Sequence, residues 1–198
     1  MTIAATLLVP GVGSSKARVA YIRRKWNNPN GFVFDYDSRT PLLDAVNFIK
    51  NKRRGSSSDR VQRLVKDIRN IAIRYGGNLK ILAHSHGALL TYRALQALYK
   101  TDPSLVKNIE VTAYGPGQPI PVKSPTLVLK RALNKINIDD WVQRVSSAFS
   151  RTLKLKDLPL GREVSVKDGA KTYSIVVLAA GGGHLDYDWK DVAGGVNR

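Results

Sequence analysis

The sequence predicts an α/β fold, three layers deep, in which helices cover a mostly parallel central sheet. Two observations carry this. First, Val61, Leu64, Val65, Ile68, Ile71, Ala72 and Tyr75 fall at helical spacing with charged residues between them, Gly76-Gly77 ends that run, and the apolar stretch Leu79, Ile81, Leu82, Ala83 follows at once. Second, the period changes again at Ser85, beyond which Leu89, Leu90, Leu95 and Leu98 return to roughly helical spacing. Helix, strand and helix in immediate succession are what a parallel sheet requires, because its strands are joined by helical crossovers.

The remaining elements can be justified in order. Ile3 to Val9 is a strong strand candidate, broken by Pro10-Gly11-Val12-Gly13 before Ser14 or Ser15 can cap a helix running through Ala17, Val19, Ala20 and Ile22. The apolar start lacks a basic region and is too short to span a bilayer, so it reads as a strand and not as a signal peptide. Phe32 to Tyr36 is a second strand, set between Asn30-Gly31 and Asp37-Ser38. The segment from Asn51 to Arg60 has the composition of an exposed loop. Ile109 to Ala113 is a further strand, and the loop after it, Tyr114 to Pro125, is too rich in glycine and proline for a regular element. Leu127 to Leu133 can be helix or strand. A helix is expected from about Trp141. Arg162 to Val166 and Thr172 to Val177 flank a turn signal and predict a hairpin, with Ser174 to Ala180 the last good strand.

Length and composition bound the chemistry. The 198 residues, 43% of them hydrophobic, suit one domain over 1–198 with a sizeable core. The absence of cysteine excludes disulfides and thiolate metal sites. No cofactor is expected, and no metal: His84 and His86 stand two apart across a sharp turn that points them in different directions.

Ala83-His84-Ser85-His86-Gly87, with its strand before and helix after, fits the nucleophile elbow G-x-S-x-G with alanine for the first glycine. The simpler reading is a serine capping a helix. The pentapeptide resembles the elbow of the α/β-hydrolase superfamily, in the Ala-His-Ser-x-Gly form of small bacterial lipases and esterases and the related hydrolase-like domains. That resemblance implies a compact hydrolase fold with Ser85 as nucleophile, an acid after a later strand and a histidine after the last strand. "NIDDWV" is similar to the family's acid turn and aligns Asp140 with the acid, Trp141 standing where proline is usual; Asp139 is the reserve, and either aspartate can instead cap the following helix. His184, in a loop after three glycines, falls where the base belongs. The oxyanion hole would combine the backbone N–H of His86 with that of Val12 or Gly13. A competing reading of "GVGSSK" as a phosphate loop lacks the Gly-Lys-Ser/Thr ending. The implied activity is cleavage of an ester, thioester or lipid acyl bond, with a short lid or none.

The charge adds a second expectation. With 32 Lys and Arg against 15 Asp and Glu the formal charge is +17, beyond what solubility needs, which points to an anionic neighbour such as a membrane surface or nucleic acid. Arg23-Arg24-Lys25, Lys50 to Arg54, and Arg151 with Lys154 and Lys156 are the sequence's candidate patches. The alternative function is therefore a non-catalytic, basic, hydrolase-like binding protein.

Overall fold

The computed structural model describes residues 4–11, 20, 24, 26, 28–35, 58–137 and 157–178. Among them, six strands form a parallel sheet in the order β2 (Gly31–Val33), β1 (Ala5–Val9), β3 (Leu79–His84), β4 (Glu110–Tyr114), β7 (Arg131–Asn137) and β9 (Lys171–Leu178). Short β5 (Lys123–Ser124), β6 (Leu127–Val128) and β8 (Glu163–Asp168) extend it with antiparallel pairings. The flanking helices are α1 (Asp59–Arg74), α2 (His86–Thr101) and the single turn α3 (Pro103–Val106). Ala20 and Arg24 are also helical, in the region where the first helix is expected.

Local chemistry sets the ends of α1. Ser58 caps it through its hydroxyl, which accepts the Val61 N–H at 3.4 Å, and Asp59 lies in the first turn, where the helix dipole favours an anion. At the other end Gly76 and Gly77 both take positive φ, and the Gly77 N–H reaches the Ala72 carbonyl at 2.7 Å while that of Gly76 reaches Ile73. This is a Schellman close, which satisfies carbonyls the helix leaves open. The face that α1 buries, Val61, Leu64, Ile68, Ile71 and Ala72, meets Leu7 and Ile81 of the sheet and Leu95 and Leu98 of α2 in one core. Each large side chain there contributes about 1.5–3 kcal/mol by burial.

Several boundaries differ from expectation for identifiable reasons. β2 includes Gly31 and stops at Val33, because its partner β1 ends at Val9 and Pro10 has no N–H to continue the ladder. The ambiguous stretch from Leu127 resolves into two strands, β6 and β7, and Ile136 belongs to the second. The glycine- and proline-rich loop does contain a regular element: Lys123-Ser124 pairs with β6 and touches β9 at Thr172. The hairpin forms as expected, with Gly169 at φ 58 in its two-residue turn, and β9 is one strand over Lys171–Leu178. The helix expected from Trp141 lies outside the described residues.

The six parallel strands all end on one edge. Val9 is beside Ala83, His84 beside Tyr114, and Asn137 beside Leu178. The chain leaves β3, β7 and β9 at this carboxyl edge.

Candidate active site

β3 delivers the chain into the turn at Ser85, and α2 carries it away from His86. Ser85 has φ 54 and ψ −122, and is the one non-glycine residue with positive φ among the described residues. Holding an L-residue there costs about 1–3 kcal/mol, so the surroundings must enforce it. They do so on both sides. The Ser85 N–H donates to the Tyr114 carbonyl of β4 at 3.0 Å, and the Ser85 carbonyl accepts from Ala88 at 3.0 Å and from Gly117 at 3.1 Å. Although Ser85 holds the position preceding α2, its hydroxyl makes no capping bond to the helix. The capping reading of this serine therefore fails.

Close approach explains the glycines. A methyl at Gly87 would stand 2.4 Å from the Val9 carbonyl oxygen and 2.5 Å from that of Pro10. A methyl at Gly11 would stand 2.7 Å from the His84 carbonyl oxygen and 2.7 Å from the Ser85 Cβ. The end of β1 is thus pressed against the elbow with no room for a side chain, and the loop that follows β1 starts within contact of the serine. Ala83, which replaces the motif's first glycine, fits because its methyl is buried in the main core.

The two flanking histidines are both buried. Burial first, and the Arg60 guanidinium second, push the His86 imidazole down to about 3, so the ring is neutral at physiological pH and too weak a base to activate an alcohol. What His86 can offer is its backbone: it opens α2, where the first N–H groups have no carbonyl of the helix to bond. Among the described residues no group of three metal-ligating side chains occurs.

Of the residues expected from the sequence, Ser85 and His86 lie together at the elbow. Val12, Gly13, Asp139, Asp140 and His184 lie outside the described residues. The strands that precede them are described: β7 ends at Asn137, shortly before Asp139 and Asp140, and β9 ends at Leu178, before His184.

One supporting residue escaped the sequence. Asn134 on β7 is fully buried, and its Nδ2 donates to the carbonyls of Ile120 at 2.9 Å and Ser174 at 3.1 Å while its Oδ1 accepts the Ile120 N–H at 2.8 Å. It pins to the sheet the loop that supplies Gly117 to the elbow. Asn134 standing between Ala132 and Ile136 at strand spacing in "RALNKIN" was the available signal, since a buried amide must find partners. A cavity of about 520 Å³ lined by Leu7, Trp26, Phe32, Asp67 and Ile71, among others, lies between β2 and α1 and does not include Ser85.

An alpha/beta hydrolase family model matches residues 7–150, more than two thirds of the chain and inclusive of the elbow. The chain belongs to the alpha/beta hydrolase family. Its match ends before His184. Solved structures similar to this chain include a YdeN-like hydrolase, so assigned, from Pectobacterium atrosepticum, at 15% identity over 96% of this chain and 89% of that one with a TM-score of 0.45. Another is a carboxylesterase from Mesorhizobium loti, at 15% identity over 98% of this chain and 86% of that one with a TM-score of 0.44. Among curated proteins none matches. Family membership makes hydrolysis the general class of chemistry to consider, and the choice of bond rests on the site.

Proposed function

We propose that the protein is a serine hydrolase that cleaves a carboxylic ester, thioester or lipid acyl bond through an acyl-enzyme. The observation that carries this is the strained, non-capping Ser85 at the strand-to-helix turn. Strain at that residue has no structural use that glycine would not serve better, whereas a nucleophile held on a fixed turn needs a hydroxyl there.

In this reading His184 takes the proton from Ser85 as the Oγ attacks the carbonyl carbon. Asp140, with Asp139 in reserve, holds the imidazole in the working tautomer. The N–H of His86 and that of Val12 or Gly13 meet the oxyanion, single donors of this kind being worth about 3–4 kcal/mol. The proton then passes to the leaving alcohol or thiol, the acyl group stays on Ser85, and water enters by the same steps to release the acid. The strand order supports the assignment, because the exits of β3, β7 and β9 share one edge.

Turnover of short p-nitrophenyl esters tests it. Wild-type protein is expected to hydrolyse them and Ser85→Ala to fall to the buffer rate. Equal rates for the two proteins would remove Ser85 from the chemistry.

A further inference from the structure

The other edge of the sheet carries a different feature. α1 and α2 both run back from the carboxyl edge, so their last turns lie at the amino edge, next to the starts of β3 and β4. Four cations lie there: Arg69 and Arg74 in the second half of α1, Lys100 in the last turn of α2, and Lys107 after α3. The Arg69 guanidinium donates to the Thr101 hydroxyl at 2.8 Å, which fixes the end of α1 against the end of α2. Arg74, Lys100 and Lys107 are exposed, and among the described residues no carboxylate pairs with them.

Two acids of this edge, Asp102 and Glu110, are already engaged. Asp102 caps α3, its Oδ1 accepting the Leu105 N–H at 3.1 Å and the Ser104 hydroxyl at 2.9 Å. Glu110 pairs with Lys130 at 2.7 Å.

We propose that this amino edge docks the phosphate backbone of a nucleic acid, on the side of the molecule opposite Ser85. A cluster of cations on rigid helix ends suits a phosphate backbone, which needs charge and hydrogen-bond donors but no apolar insertion. An anionic bilayer would ask for an apolar anchor as well. The large hydrophobic side chains exposed among the described residues are Ile73 and Leu160, and only Ile73 adjoins the cluster. Docking here leaves the carboxyl edge open, so binding and hydrolysis are separate activities.

The test is fluorescence anisotropy of a labelled 20-base-pair DNA duplex with the full chain, titrated from 50 to 200 mM salt. Wild type and Ser85→Ala bind alike. Replacing Lys100 and Lys107 by glutamine weakens binding and lowers the slope of log affinity against log salt by about 0.9 per lost contact, roughly 2 in all. The equal-charge control, Arg63→Gln with Arg162→Gln away from this edge, leaves the slope unchanged, and ester turnover is the same in both double variants. Absence of duplex binding at 50 mM salt overturns the proposal. So do equal losses in the control, or binding only to phosphatidylserine vesicles.

Discussion

The two edges of one sheet are built on opposite principles. At the carboxyl edge, backbone from three strands is crowded around Ser85: Val9 and Pro10 press on Gly87, Gly11 on His84 and Ser85, and Tyr114 holds the serine N–H. At the amino edge nothing is strained, and long side chains stand out from element ends that are held in place by ordinary caps. The difference teaches that position at a reacting atom is bought with close packing, while attraction of a polyanion needs only charge of one sign on a firm support. Substitutions at the first edge should therefore act steeply and singly, and those at the second weakly and in proportion to charge.

The steepest expected effect is on turnover. Because the members of a triad act as a unit, His184→Ala should lower kcat for a short ester about as much as Ser85→Ala, on the order of a million-fold in an efficient relative, and the double variant little further. Asp140→Asn should cost about ten-thousand-fold and Asp139→Asn little. Additive losses in the first pair would separate His184 from Ser85, and the reverse order in the second would move the acid to Asp139.

Next comes the packing of the elbow. Gly87→Ala sets a methyl against two backbone carbonyls that cannot swing away, so it should destabilise the fold by about 2–4 kcal/mol, read by urea denaturation. A loss below about 0.5 kcal/mol would mean that β1 does not hold the turn. At the amino edge Lys107→Gln should stay within about that limit.

The pH dependence separates the edges a third time. His86 is held down to about 3 in the fold against an ordinary value near 6.5, so the unfolded chain binds more protons between those values. Its contribution to stability is complete above about pH 6.5 and is lost as pH falls toward 3, at up to about 1.4 kcal/mol for each pH unit. His86→Gln should flatten that slope between pH 6.5 and 4.5. An unchanged slope would show that the imidazole is not buried as the elbow requires.

The smallest effect is the strain itself. Ser85→Gly keeps the turn and removes the Cβ from an unfavourable φ, so it should be more stable than Ser85→Ala by about 1 kcal/mol, both variants being inactive. Equal stabilities would mean that the turn relaxes when the hydroxyl is lost.

How much of this could be read from the sequence follows from the same contrast. The elbow was legible because its parts are contiguous: an apolar strand, small residues around Ser85, and a helix whose Leu89, Leu90, Leu95 and Leu98 keep a period. α1 was legible to its last turn because the period and the two glycines agree. Elements too short to have a period were not, which is why the sequence gives no sign of β5 or α3. The start and end of β2 depend on where β1 stops, a fact of pairing and not of composition. The reason for Gly87 is a neighbour far away in the chain, as is the reason for Asn134. The cation cluster was invisible for the same cause: Arg69, Arg74, Lys100 and Lys107 never form a run, and only the return of two helices to one edge brings them together. Of the runs that did stand out, Arg24 is described and exposed, and the remainder lie outside the described residues.

The central claim is that Ser85 is an activated nucleophile, and its direct test is the intact mass of the protein after exposure to a fluorophosphonate probe. The account predicts one adduct on the wild type, mapped to Ser85 by peptide fragmentation, with none on Ser85→Ala and very slow labelling of His184→Ala. A folded wild type that stays unlabelled, or an adduct that persists in Ser85→Ala, would contradict it.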